Sequence, residues 1–382
     1  MAPAIVTQSP PPAGVTPMPP PGTAGSLAQI VFMARAMLSM VMRALAASVK
    51  RMLEEKPPTT TVQTQPGFHV VASAGLAAAA RFIPHTRDSY LAWCNKHKKE
   101  PQITPLEEDA AALWCFGDEN PPSSEHKLFL YFHGGGYSFG GASEEMIKYM
   151  HALKDEAKKA GVESSGVILQ YSLATEGAGN PYPKQLTQAV IMLNYVTHTL
   201  GWKPSQIIII GESAGSNLMF STLLHVIHPC PHVTQQLKLS EPLFMIIALS
   251  PWVMLNYKPS TEPAYNTDYI RHSDHNKFVA GWLPPRDDID VRWGNFEDTP
   301  KEWWVGLGKA SGTEEMMHRD IVRFGEIVLE GKKDDPDGAE YEFELKTEIG
   351  VHCEPSLSLG TSFDDIPQWE MVKKWFNKRI AQ

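Results

Sequence analysis

The stretch that most restricts the fold is the run 206–210 (QIIII), which passes without a break into Gly211-Glu212-Ser213-Ala214-Gly215 and then into SNLMFSTLLHVI. An apolar strand, a turn of small residues and a helix-like run leave room only for a sharp strand-to-helix turn with Ser213 at its apex. A serine there is forced into a strained backbone conformation that points its hydroxyl outward. Gly211 and Gly215 let strand and helix approach closely enough for the turn to close. The helix start adds oriented N–H groups beside that hydroxyl. Chance alone would supply such a G-x-S-x-G in about one of eight chains of this composition, so the motif needs company.

It has company. A second strand-like run at 127–132 (KLFLYF) leads into His133-Gly134-Gly135-Gly136. Consecutive glycines let backbone N–H groups converge on a developing oxyanion with no Cβ in the way. This tetrapeptide is expected by chance in about one of two hundred such chains.

The rest of the chain fits around these two turns. Further apolar runs at 166–171 and 243–249 read as buried strands, and 303–307 and 341–347 as later ones. Helical spacing over 144–160 and 183–200 lies between them. Strand-then-helix alternation with near-continuous apolar strands predicts an α/β fold, a mostly parallel sheet covered by helices on both faces.

Composition excludes several other classes. The net charge of −9 over 382 residues argues against a nucleic-acid partner, which needs clustered Lys and Arg. The four cysteines (94, 115, 230, 353) lie far apart with no C-x-x-C pair, so reduced thiols in a cytoplasmic compartment are expected.

The N-terminal part has a different texture. Residues 1–25 are rich in proline and read as a disordered tail. Residues 26–53 read as an amphipathic helix, followed by a linker to residue 66; the catalytic domain is expected over 67–382. Arg35 and Arg43 would sit inside any membrane span, which disfavours a crossing helix. Two readings of 26–53 stay open: a helix covering the catalytic domain, or one lying in a membrane interface as a peripheral contact.

HGGG followed by GESAG, with Ser213 80 positions after His133, resembles the hormone-sensitive-lipase-like esterases of the α/β-hydrolase superfamily. Tyr171-Ser172-Leu173-Ala174, Asn180-Pro181-Tyr182-Pro183 and Ser250-Pro251-Trp252 echo further family segments, and the overall texture is similar to fungal members, including those of secondary metabolism. The resemblance implies an α/β-hydrolase fold with a helical cap, read here as an insertion at about 253–300. It implies a serine hydrolase acting on a small or medium apolar ester, without metal or organic cofactor. Ser213 is then the nucleophile and His352, after the last strand, the base. Glu315 is the acid that orients His352, with Glu314 as its alternative. The N–H groups of Gly135, Gly136 and Ala214 form the oxyanion hole, and His133 shapes the glycine loop rather than titrating in catalysis. Two other readings are acyl transfer, retro-aldol or cyclisation chemistry at the same site, and a catalytically silent binding protein.

Within the insertion, Trp282 and Trp293 are expected to pack rather than touch substrate. Asp287-Asp288-Ile289-Asp290 lacks the spacing of a calcium loop and reads as a solvated acidic turn. Cys353 reads as an inert neighbour of His352.

Overall fold

The computed structural model describes residues 85–138, 140–175, 179–255, 272–284, 289–300, 303–304, 309–312, 321, 323–326, 345–348, 353 and 366–380. The expected tail, the helix at 26–53 and the linker lie outside them, as does the expected domain start near residue 67.

Eight strands form one sheet: β1 (Gln102–Pro105), β2 (Ala111–Phe116), β3 (Lys127–Phe132), β4 (Ser164–Gln170), β5 (Ile207–Glu212), β6 (Met245–Leu249), β7 (Lys309–Gly312) and β8 (Leu345–Glu348). Their spatial order is β1-β2-β4-β3-β5-β6-β7-β8. β2 runs antiparallel to both β1 and β4, and every other neighbouring pair is parallel. The helices are α1 (Thr86–Lys96), α2 (Glu144–Lys159), α3 (Lys184–Asn194), α4 (Ala214–Ile227), α5 (His272–Trp282) and α6 (Pro367–Ile380).

Strand alternation divides the core into two. Leu128, Leu130 and Phe132 of β3, with Ile207 and Ile209 of β5, face α3 and α4. Phe129, Tyr131, Ile208 and Ile210 face the opposite side, against α1, α2 and α6. Successive residues of a strand point to opposite faces, so a strand apolar at every position must be covered on both sides.

The connections set the site. From β3 the chain steps one way through α2 to β4, then back past β3 through α3 to β5. Crossovers of one hand that step in opposite directions put their helices on opposite faces, as the two cores record. The carboxyl ends of β3 and β5 therefore lie side by side at the point where the strand order reverses, with Phe132 opposite Gly211. A crevice at such a reversal is where open α/β sheets carry their sites.

Three expectations are corrected. Residues Trp303 and Trp304 of the run 303–307 are not in a strand. Trp304 is fully buried against Phe220, Phe296 and Phe324, and Trp303 stacks on His228. Their apolarity serves aromatic packing, and the strand comes later, at β7, whose sequence KASG carries little hydrophobic signal. The helix expected over 183–200 is α-helical only to Asn194 and closes in a π-turn over Tyr195–Thr199. Asp290 does not belong to a solvated turn: it is buried and grips the Arg292 guanidinium, whose Nε lies 3.0 Å from each carboxylate oxygen. Asp287 and Asp288 lie outside the described residues. Among the described residues no helix is long and apolar enough to cross a membrane, and all four cysteines are free and buried.

Candidate active site

Ser213 sits between β5 and α4 with φ 51° and ψ −115°, a conformation that a side-chain-bearing residue avoids unless its surroundings dictate it. They do. Its N–H donates to the Leu249 carbonyl of β6 at 2.9 Å, and its own carbonyl accepts the N–H groups of Asn217 and Trp252, both at 3.1 Å. The flanking glycines are compelled by contact. A Cβ on Gly215 would lie 1.9 Å from the Phe132 carbonyl oxygen, and one on Gly211 2.6 Å from Ser216 Cα. Strand and helix are thus as close as backbones permit.

The glycine loop after β3 lies against this turn. A Cβ on Gly134 would come within 3.1 Å of the Glu212 carbonyl oxygen. Gly135 (φ 107°) and Gly136 (φ 56°) occupy backbone regions that glycine enters freely. Gly135 is partly open, whereas Gly134 and Gly136 are buried. The Gly135 carbonyl accepts the Ser138 N–H at 2.9 Å, and the Gly136 carbonyl accepts the Ser138 hydroxyl at 3.2 Å. These bonds hold the loop curled.

His133 is fully buried, stacked on Tyr171 with ring centroids 4.0 Å apart. Burial lowers its pKa to about 4, so the ring is neutral near pH 7. Its Nδ1 lies 2.8 Å from the Gly134 carbonyl oxygen, within the glycine loop.

Over the loop lies an aromatic layer. Trp282 of α5 stacks on Tyr137 at 4.4 Å, and the Phe278 ring rests where a Gly136 Cβ would be, 2.5 Å from that position. Tyr137 donates from its hydroxyl to Asn217 Oδ1 at 2.8 Å, while Asn217 Nδ2 donates to the carbonyls of Trp252 and Gly294, each at 2.7 Å. Trp293 is buried with its indole N–H on the His228 carbonyl. Both expected packing tryptophans therefore have packing partners.

The structure brings Ser213, Ala214, Gly211, Gly215 and the loop His133–Gly136 to one edge of the sheet. Glu315, its alternative Glu314 and His352 lie outside the described residues. Cys353 is buried, and its N–H donates to Ser250 Oγ at 2.9 Å. Sequence reasoning missed Tyr137, Asn217 and Gln185. Gln185 Nε2 holds the carbonyls of Ser172 (2.8 Å) and Asn180 (2.9 Å), and its Oε1 accepts the Trp282 indole N–H at 3.0 Å. No local spacing marks any of the three, since each makes a bond to a residue far away in sequence.

Sheet order, strained serine and glycine loop together define an α/β-hydrolase. Solved structures agree on the fold. A hormone-sensitive lipase from a metagenome library matches with TM-score 0.59 at 20% identity, covering 83% of this chain and 98% of that one. Carboxyl esterase 2 of the mycorrhizal fungus Tuber melanosporum matches with TM-score 0.55 at 18% identity, covering 74% and 88%. Within that class, residues 95–377 match the steryl acetyl hydrolase family, and the chain belongs to it. Steryl acetyl hydrolase 1 of Saccharomyces cerevisiae is 22% identical over 252 residues, 62% of this chain and 56% of that protein. Carboxylesterase NlhH of Mycobacterium tuberculosis is 33% identical over 95 residues, 24% of this chain and 27% of that protein. The matches thus span about half or less of these curated relatives.

Proposed function

We propose that the protein is a serine esterase that removes an acetyl group from an apolar alcohol of the steryl acetate type. The observation that carries this reading is the strained Ser213 beside the glycine loop, in a chain of the steryl acetyl hydrolase family. A serine hydroxyl is too weak an acid to attack unaided, so a base must take its proton. His352 is that base and Glu315 orients it. In support, Cys353, next in the chain to His352, is tied to Ser250 Oγ; Ser250 follows Leu249, whose carbonyl holds the Ser213 N–H. Glu315 follows β7, and β7 pairs with β6 through Ala310 and Leu249.

In the reaction Ser213 Oγ attacks the acetyl carbonyl while its proton passes to His352. The carbonyl oxygen becomes an oxyanion that accepts hydrogen bonds from the N–H groups of Gly135, Gly136 and Ala214. His352 returns the proton to the departing alkoxide, leaving acetyl-Ser213. Water, deprotonated by His352, then releases acetate.

A p-nitrophenyl ester series from acetyl to palmitoyl, alongside a steryl acetate, tests the reading with wild type, Ser213→Ala and a chain lacking residues 1–56. Hydrolysis fastest on acetyl and lowered by Ser213→Ala about 10⁴-fold or more is expected. Wild-type rates surviving in Ser213→Ala would refute it. Loss of lipid-dispersed substrate alone on removing residues 1–56 would assign 26–53 to a membrane interface.

A further inference from the structure

The oxyanion loop is fastened from the far end of the domain. Thr86, the first residue of α1, is buried, and its hydroxyl oxygen lies 3.1 Å from His133 Nε2. The same oxygen accepts the Gly141 N–H at 3.2 Å. The other ring nitrogen fixes the direction of these bonds. His133 Nδ1 is 2.8 Å from the Gly134 carbonyl oxygen, which can only accept. Nδ1 therefore carries the proton, and in the neutral ring Nε2 is a bare acceptor. The Thr86 hydroxyl donates to it. The ring has no room to swing: Tyr171 stacks on it at 12°, and a Cβ on Gly141 would lie 2.2 Å from its Cγ.

What this relay holds is a peptide plane. The Gly134 carbonyl and the Gly135 N–H belong to one planar trans unit and point in opposite directions. That carbonyl receives the His133 Nδ1–H and lies 3.2 Å from the Tyr171 hydroxyl, which also reaches the His133 carbonyl at 2.7 Å. Fixing the carbonyl fixes the aim of the N–H. Hydrogen bonds accepted at the oxygen also polarise the N–H and make it a better donor. The next peptide is held locally by Ser138, so only the Gly135 N–H depends on the relay.

We propose that Thr86 is a positioning residue for the oxyanion hole, acting through His133 and the Gly134 carbonyl on the Gly135 N–H. The proposal rests on the esterase reading above. Thr86 opens α1 and precedes the stretch 95–377 that matches the family.

Thr86→Val keeps the shape and removes the hydroxyl; Thr86→Ser restores it. Steady-state kinetics on p-nitrophenyl acetate should show kcat reduced about 10-fold or more in Thr86→Val with KM within about threefold, and recovery in Thr86→Ser. Should Thr86→Val not fold, Thr86→Ala removes the same hydroxyl without filling its place and should show the same kcat–KM split. A folded Thr86→Val with wild-type kcat, or Thr86→Ser as slow as Thr86→Val, would overturn the relay while the Ser213 reading stood. Activity in wild type that Ser213→Ala does not diminish would overturn both.

Discussion

At Ser213 the backbone is held where the residue's own preference would not put it. A non-glycine residue at φ 51°, ψ −115° costs about 1–3 kcal/mol, offset by the hydrogen bonds it donates to Leu249 and accepts from Asn217 and Trp252. Gly215 carries the steric side of that arrangement. Gly215→Ala would drive a methyl into the Phe132 carbonyl, 1.9 Å away, and backbone cannot step aside as a side chain can. It should lower the unfolding free energy by about 1–3 kcal/mol in urea titration and remove activity; near-native stability would contradict this packing. His133 makes a pH prediction. Its pKa is about 6.5 in the unfolded chain and lowered by burial to about 4 in the folded one. Between those values the unfolded state binds a proton that the folded state refuses, so its contribution to stability is intact above pH 6.5 and declines from there to pH 4. Urea midpoints that hold level from pH 7 to pH 4.5 would count against a buried neutral ring.

Among the elements, α1 does more than cover a face. Tyr90 donates its hydroxyl to the Trp114 carbonyl at 2.6 Å and accepts the Gln102 N–H at 3.0 Å, clamping the helix to the edge strand β1 and to its neighbour β2. Tyr90→Phe leaves a buried carbonyl short of a partner and should cost about 1–2 kcal/mol in thermal or urea unfolding. Because Thr86 is on the same helix, the clamp also steadies the glycine loop. These two strands are illegible in sequence: QITP is short and β2 (AALWCF) reads equally as a helix segment. The central strands are another matter. KLFLYF coincides with β3, and QIIII differs from the start of β5 by one residue, since buried parallel strands must be apolar at every position.

For the molecule as a whole, both turns at the reversal of strand order were legible because each is built of residues that only backbone crowding demands: glycines at 134–136, 211 and 215. The clamps were not. Thr86, Tyr137, Asn217 and Gln185 bind partners 80 or more residues away or, for Thr86, 47, and separation in sequence erases any local pattern. The proposed acyl transfer to Ser213, followed by water attack, rests on the match to the steryl acetyl hydrolase family and on the sheet topology. The most direct test is to quench the full chain within its first turnovers on p-nitrophenyl acetate and sequence the acetylated peptide by mass spectrometry. The account predicts one acetyl group, carried on Ser213 and lost as turnover proceeds; acetyl on another residue, or hydrolysis with Ser213 unmodified throughout, would contradict it.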